Sequence, residues 1–209
     1  MYHKAPIFEQ IVSDYLSQVR RHKTLARLSS KLGLKIENDF IELPFFNRKY
    51  IITDHAITDE EGKRVSHATS VVLCKYILLC PDDVCSDADL MTYKDFKDAA
   101  PYVGGFRNTA EHPIAAFFEK KAAELEERSR KLGGKPFQSE VACQLAFQFL
   151  ALPRIPIILM FNDADEDFPS QCVLLFQKNA QTFLDMECLA MLGSTLARLL
   201  QKKRRSHGL

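Results

Sequence analysis

Apolar residues recur at helical spacing from near the start of the chain. Ile7, Ile11, Tyr15 and Val19 form one stripe, with Phe8, Val12 and Leu16 beside it. The pattern predicts a helix over residues 6–32, with Gly33 as its stop. From 38 to 65 the pattern shortens to strands. "DFIELPFF" and "KYIITD" flank Asn47-Arg48, and "HAIT" and "KRVS" flank "DEEG", which predicts two hairpins. Pro44 cannot donate to a ladder, so it calls for an edge or a bulge in its strand.

A second helix is predicted from Ser66 or His67 to about Cys80, where Pro81 closes it. Val71, Val72, Ile77 and Leu78 spread apolar surface round most of it, which suits the centre of the molecule. Residues 81–112 are the least regular, with a short strand expected near Met91–Tyr93 and a turn or short helix after it. A third helix is predicted to begin at Pro113 and end at Gly133-Gly134. Its apolar face is Ile114, Phe118, Ala122, Leu125 and Leu132. Glu124–Arg128, Glu126–Arg130 and Glu127–Lys131 are spaced for four-apart ion pairs.

Strict alternation over 140–150 predicts a strand with Val141, Cys143, Leu145, Phe147 and Phe149 on one face and Gln144 and Gln148 on the other. The apolar runs 155–161 and 171–177 read as buried strands, antiparallel to it in succession. Pro156 belongs near its strand start or on an edge. The last helix is predicted over about 186–203. Asp185 is its N-cap, Leu184 and Leu189 are the staple, and Leu192, Gly193, Leu196, Leu199 and Leu200 continue the buried stripe. The sum is an α+β fold: antiparallel sheets from two meander-like batches of strands, packed by about four helices. With neither an internal repeat nor a low-complexity linker, residues 1–209 are expected to form a single domain with a basic tail at about 201–209.

Composition fits that picture. At 209 residues, with 46% hydrophobic and 26% charged, the chain can bury a core without staples. A net charge of +1 gives no strong overall pull toward nucleic acid or membrane. The charge is uneven, however: Arg20, Arg21, Lys23, Arg27 and Lys31 near one end, and Arg198, Lys202, Lys203, Arg204 and Arg205 near the other. Such residues serve helix ends and solubility, or contact an anionic polymer. No run is long enough for a transmembrane helix, and "MYHKAPIFEQ" lacks the apolar core of a signal peptide. Of the six cysteines, Cys74, Cys143, Cys172 and Cys188 sit among apolar neighbours as buried free thiols do. A soluble protein of the reducing cytoplasm is expected.

Two stretches carry candidate chemistry. In "DADED", Asp163, Asp165 and Asp167 resemble the start of a calcium loop, but Phe168 stands where glycine is needed and Leu174 where glutamate is needed. The stretch is read as a solvated hairpin tip, with a divalent cation as the alternative. In residues 93–112, Tyr93, Gly104, Gly105, Arg107, Asn108 and His112 form a candidate ligand-binding set ahead of a helix N-terminus, where an anion can be held. The competing reading is ordinary capping by Asn108 or Thr109, with Glu111 favoured at the positive end. The spacing of Cys74, Cys80 and Cys85 lacks the close pairs of zinc or iron–sulfur ligation, and Cys85 is expected to be the most exposed thiol. Phosphate-binding and nucleophile motifs are absent.

The blocks "FIELPFFNRKYIITD…DEEG", "VVLCKYILLCP", "TYKDFKDAAPYVGGF" and "LALPRIPIILMFNDADEDFPSQCVLLF" resemble, in order, those of the domain-of-unknown-function 3786 family of mainly anaerobic bacteria and archaea. The similarity spans roughly residues 5–200. It implies no activity. Some members carry an added cysteine-rich iron–sulfur segment, which this chain lacks, so no cofactor is evident. The closest-matching positions are Tyr76, Tyr93, Phe96, Gly105, Phe106, Pro153, Pro156, Asp165, Phe168, Pro169 and Phe176. Most are structural types; Asp165 is the polar exception, suited to bonding loop amides. The expected function is a non-catalytic module that binds a small molecule or a partner protein. The alternative is a carboxylate-dependent enzyme using residues 163–167 with Glu111 or His112, with or without a divalent metal. Nucleic-acid binding through the basic terminal helices is the weaker third expectation.

Overall fold

The computed structural model describes residues 6–21, 25–37, 39–83 and 88–202. Two antiparallel sheets and the helices over them make an α+β fold, as the patterning predicts. The first sheet is a meander of β1 (Lys35–Ile36), β2 (Ile41–Phe45), β3 (Arg48–Ile52) and β4 (Ile57–Asp59). The second has the order β5-β9-β8-β7-β6, built from β5 (Leu90–Thr92), β6 (Lys135–Pro136), β7 (Leu145–Leu152), β8 (Ile155–Asn162) and β9 (Gln171–Gln177). β7, β8 and β9 are the three successive strands expected from sequence.

The first predicted helix is two. α1 (Pro6–Arg20) buries Leu16 and Val19 and half-buries Val12 and Tyr15, leaving Ile7 exposed. α2 (Leu25–Leu32) ends at Gly33, whose φ is +65° and where a Cβ would lie 2.7 Å from Pro153 Cβ. Its last carbonyls are satisfied from the turn between β7 and β8 and from the helix that carries Tyr76. Arg154 donates to Lys31 O at 2.5 Å and Ser30 O at 3.1 Å, and the Tyr76 hydroxyl donates to Leu32 O at 3.1 Å. That pairing of cation and hydroxyl with a helix C-terminus depends on residues over forty positions away, so local pattern cannot show it.

The first hairpin turns on Phe46-Asn47, one residue earlier than predicted. Phe45 pairs with Arg48, and both turn residues have positive φ, as a two-residue hairpin of this hand requires. The Phe46 N–H donates to Ala151 O at 3.0 Å, which ties the first sheet to β7.

α3 (His67–Leu78) lies against α1 on one side and α8 (Met186–Gln201) on another. It is buried nearly all round, as its unpatterned apolar surface implies. Its N-cap is Ser66, whose hydroxyl accepts from the Thr69 N–H at 3.2 Å. One hydrophobic cluster joins Leu73 and Ile77 of α3, Leu189 and Leu196 of α8, and Phe149, Ile157 and Phe176 of the second sheet. A short α7 (Ala180–Phe183) leads into α8, which Asp185 caps by accepting from Cys188 N at 2.9 Å.

The third helix differs most from expectation. Helical backbone begins at α4 (Val103–Phe106), passes through a π-turn (Arg107–Glu111) and continues as α5 (His112–Phe118). Pro113 is therefore inside the helix, not at its start. Having no N–H and a ring that would strike the carbonyl four residues back, proline displaces the usual ladder. The chain widens by one residue, so that His112 N–H reaches Arg107 O, five residues away. Lys120, at φ +57°, breaks the helix, and α6 (Ala122–Lys131) follows. All three anticipated ion pairs form on α6.

The 140–150 strand starts only at Leu145. Upstream of it, side chains replace the ladder: Gln144 N donates to Asn162 Oδ1, and Asp163 N to Gln144 Oε1, each at 2.9 Å. Val141 is exposed, outside the sheet.

Candidate functional site

Among the described residues, no hydrogen bond joins Tyr93, Gly104, Gly105, Arg107, Asn108 or His112 to Asp163, Asp165 or Asp167. Tyr93 is only 2% exposed, stacks on Phe106 at a centroid distance of 4.1 Å and donates its hydroxyl to Met186 O at 2.7 Å. Burial drives its ionisation well upward, so it serves the core as a neutral phenol. Gly104, Gly105, Arg107, Asn108 and His112 lie on the exposed side of the α4–π–α5 helix. There is no helix N-terminus at 113 to hold an anion, because the amides there lie within continuous helical backbone. Thr109 is not a cap; its hydroxyl donates to Gly105 O at 2.8 Å, one turn back. Glu111 turns the other way, and its Oε1 accepts the Leu174 N–H at 3.1 Å.

The acidic loop between β8 and β9 is organised by its own carboxylates. Asp165 Oδ1 accepts from Asp167 N at 2.9 Å and Phe168 N at 2.8 Å, the loop-bonding role that aspartate commonly takes in turns. Asp163 Oδ1 accepts from Lys120 N at 2.6 Å and Ala164 N at 2.9 Å. Asp165 and Asp167 are exposed. Among the described residues, no group of three or more His, Cys, Asp or Glu side chains is placed to hold a metal. Of the basic residues, Arg20 pairs with Asp54 at 3.0 Å. Lys203, Arg204, Arg205 and the rest of the proposed basic tail beyond Lys202 lie outside the described residues, as do Cys85 and the side chains of Lys23 and Arg27.

A cleft of about 180 Å³ opens elsewhere, between α1, the β3–β4 hairpin with the Arg64–Val65 segment beyond it, and the start of α3. Leu16 and Ile57, both buried, line it together with the half-buried Val12 and Val65. Polar groups come from all three walls: Glu9 and Ser13 from α1, His55 and Arg64 from the hairpin region, His67 and Ser70 from α3.

The hairpin wall is set by local bonds. Thr53 Oγ1 donates to Ala56 O at 3.1 Å and accepts from Ala56 N at 3.2 Å, closing the turn that carries His55. An isolated β-bridge to Thr58 fixes the backbone at Arg64. The Arg20–Asp54 pair joins the end of α1 to the same turn.

His67 occupies the first position of α3, next to Ser66, where the helix dipole is positive. Its ring packs against Phe8 at a centroid distance of 4.7 Å. His67 Nδ1 is shielded from solvent and has no hydrogen-bond partner among the described residues. A buried polar atom without a partner is costly and asks for an explanation. Glu9 and Arg64 likewise form no ion pair with any described residue.

Sequence reading missed this site because its residues come from three elements that only the fold brings together. The one local signal was Arg64 two positions before an N-cap serine, followed at once by a histidine.

An α+β domain with two antiparallel sheets and a small mixed cleft is a class of protein, not an activity. Residues 24–199 match the family described as a domain of unknown function, DUF3786, and the chain belongs to it. No curated protein and no solved structure matches the chain. No helix among the described residues is long and apolar enough to cross a membrane.

Proposed function

We propose that the domain is a non-catalytic module that binds a small molecule in the cleft between α1, the hairpin and α3. One observation carries this reading: an apolar-floored concavity is ringed by polar groups, among them the partnerless His67 Nδ1. Ligand sites characteristically combine an apolar lining with a few convergent polar groups. The volume of about 180 Å³ limits the ligand, since an apolar cavity of about 150 Å³ accommodates benzene. A compact metabolite fits within it. A cytoplasmic setting is supported by the five described cysteines, all free and three of them buried.

The test is a thermal-shift screen of a metabolite library against the full chain and a Ser13→Phe variant. Ser13 is exposed on α1 and lines the cleft, so the larger ring fills the site without disturbing the core. A true ligand at a hundred times its dissociation constant stabilises the wild-type fold by about 2.7 kcal/mol. The same compound should leave Ser13→Phe unmoved. A library without hits, or hits that shift both proteins equally, would rule the cleft out.

A further inference from the structure

We infer that the ligand of this cleft is a zwitterion: a free aliphatic α-amino acid, its ammonium on Glu9 and its carboxylate on Arg64 and His67. The inference rests on the reading of the cleft as a ligand site and goes further, to the chemistry of what is bound. A carboxylate and a guanidinium line one small concavity from different elements, and they are not paired with each other. An anion alone would leave Glu9 opposed to it, and a cation alone would set itself against Arg64. A molecule bearing both charges satisfies both walls, and each contact is a charge-assisted hydrogen bond of the stronger kind.

The remaining features fit the same ligand. Arg64 presents a planar fork suited to two carboxylate oxygens. His67 sits at the positive end of α3, which favours a bound carboxylate, and an Nδ1–H there can donate to a carboxylate that reaches it. Leu16 and Ile57 offer an aliphatic side chain a dry surface.

The experiment is calorimetric titration of the full chain with the twenty standard amino acids. Each one that binds is followed by its two truncated relatives; for leucine these are 4-methylpentanoate, without the ammonium, and 3-methylbutylamine, without the carboxylate. The expected result is at least one aliphatic amino acid binding about tenfold or more tightly than either relative, the order set by one charge-assisted hydrogen bond. Glu9→Gln should abolish the advantage over the acid, and Arg64→Gln the advantage over the amine. Both residues are exposed, so each variant should unfold at the wild-type urea midpoint.

If no amino acid binds, yet library compounds bind wild type and not Ser13→Phe, the zwitterion inference falls and the cleft reading stands. Equal binding of an amino acid and a truncated relative has the same consequence. If nothing binds in a Ser13-dependent way, both fall.

Discussion

The carboxylate of Glu111 accepts the backbone N–H of Leu174 at 3.1 Å, which closes an open stretch of the β9 edge. β5 pairs with β9 only from Leu175 to Gln177, so the amide at 174 would otherwise lack a partner. Burial raises the Glu111 carboxyl above its ordinary 4.5, against the opposing pull of that amide and of Arg107. A raised folded-state value means that the native state holds the proton more tightly than the unfolded chain. The stabilisation is thus fully present below about pH 4.5 and is lost as pH rises through the folded value. Glu111→Gln keeps an acceptor for Leu174 and never ionises. Urea unfolding should find the variant and wild type similar near pH 4 and the variant gaining relative stability toward pH 7. A difference independent of pH would refute the assignment.

Gly193 is where α8 meets the helix that passes through the π-turn. A Cβ there would lie 2.4 Å from Phe106 Cε2 and 3.1 Å from Ala110 Cβ. Phe106 is itself held against Tyr93 and cannot retreat freely. Gly193→Ala should lower stability by about 1–3 kcal/mol, the usual range for overpacking, despite alanine's better helix propensity. A neutral result in chemical denaturation would mean that the two helices separate more easily than their packing implies.

Gly104 and Gly105 make the opposite case. Both lie in helical backbone without positive φ, and a Cβ at either would meet nothing within 4 Å. Alanine at each should stabilise by roughly 0.5–1 kcal/mol, through a smaller loss of backbone freedom on folding. If both variants are stabilised and amino-acid binding is unchanged, this glycine pair has no part in recognition.

The thiols should divide by burial. Cys74, Cys172 and Cys188 are enclosed; burial pushes Cys74 up to about 12 and the other two upward as well. Cys80 and Cys143 are only partly covered. Alkylation of native protein with iodoacetamide, mapped by peptide mass spectrometry, should label Cys80 and Cys143 and spare the other three until denaturant is added. The reactive species is the thiolate, so burial and a raised pKa act in the same direction.

Much of the fold is legible because it is local. Asp185, the Leu184–Leu189 staple and the leucine stripe announce α8, and the apolar runs around 155–161 and 171–177 announce β8 and β9. What escapes the sequence is set by partners far along the chain. The stop at Gly33 is legible, but the Arg154 and Tyr76 groups that satisfy the last carbonyls of α2 are not, nor is Gln144, which substitutes a side chain for a ladder bond. Pro113 looked like a helix start because proline favours that position; a π-turn let it sit inside instead. The cleft was invisible for the same reason: Glu9, Arg64 and His67 are ordinary surface types until α1, the hairpin and α3 are packed together.

The acidic loop gives the last prediction, since Asp163 serves the backbone of another element. Its Oδ1 caps the Lys120 N–H at 2.6 Å, at the left-handed residue that ends α5. Losing a charged acceptor from an exposed amide, which water can then serve, costs about 0.5–1.5 kcal/mol, so Asp163→Ala should destabilise by that order. Asp163→Asn keeps an oxygen and should cost less. Lys120→Gly removes the steric penalty of φ +57° and should offset part of the loss in the double variant. Adding millimolar Ca²⁺ or Mg²⁺ should shift none of these midpoints, because Oδ1 of both Asp163 and Asp165 is committed to amides and, among the described residues, no group of three His, Cys, Asp or Glu side chains is placed to hold a metal. A cation-dependent stabilisation lost specifically in Asp163→Ala would instead make the loop a metal site and end its reading as a backbone clamp.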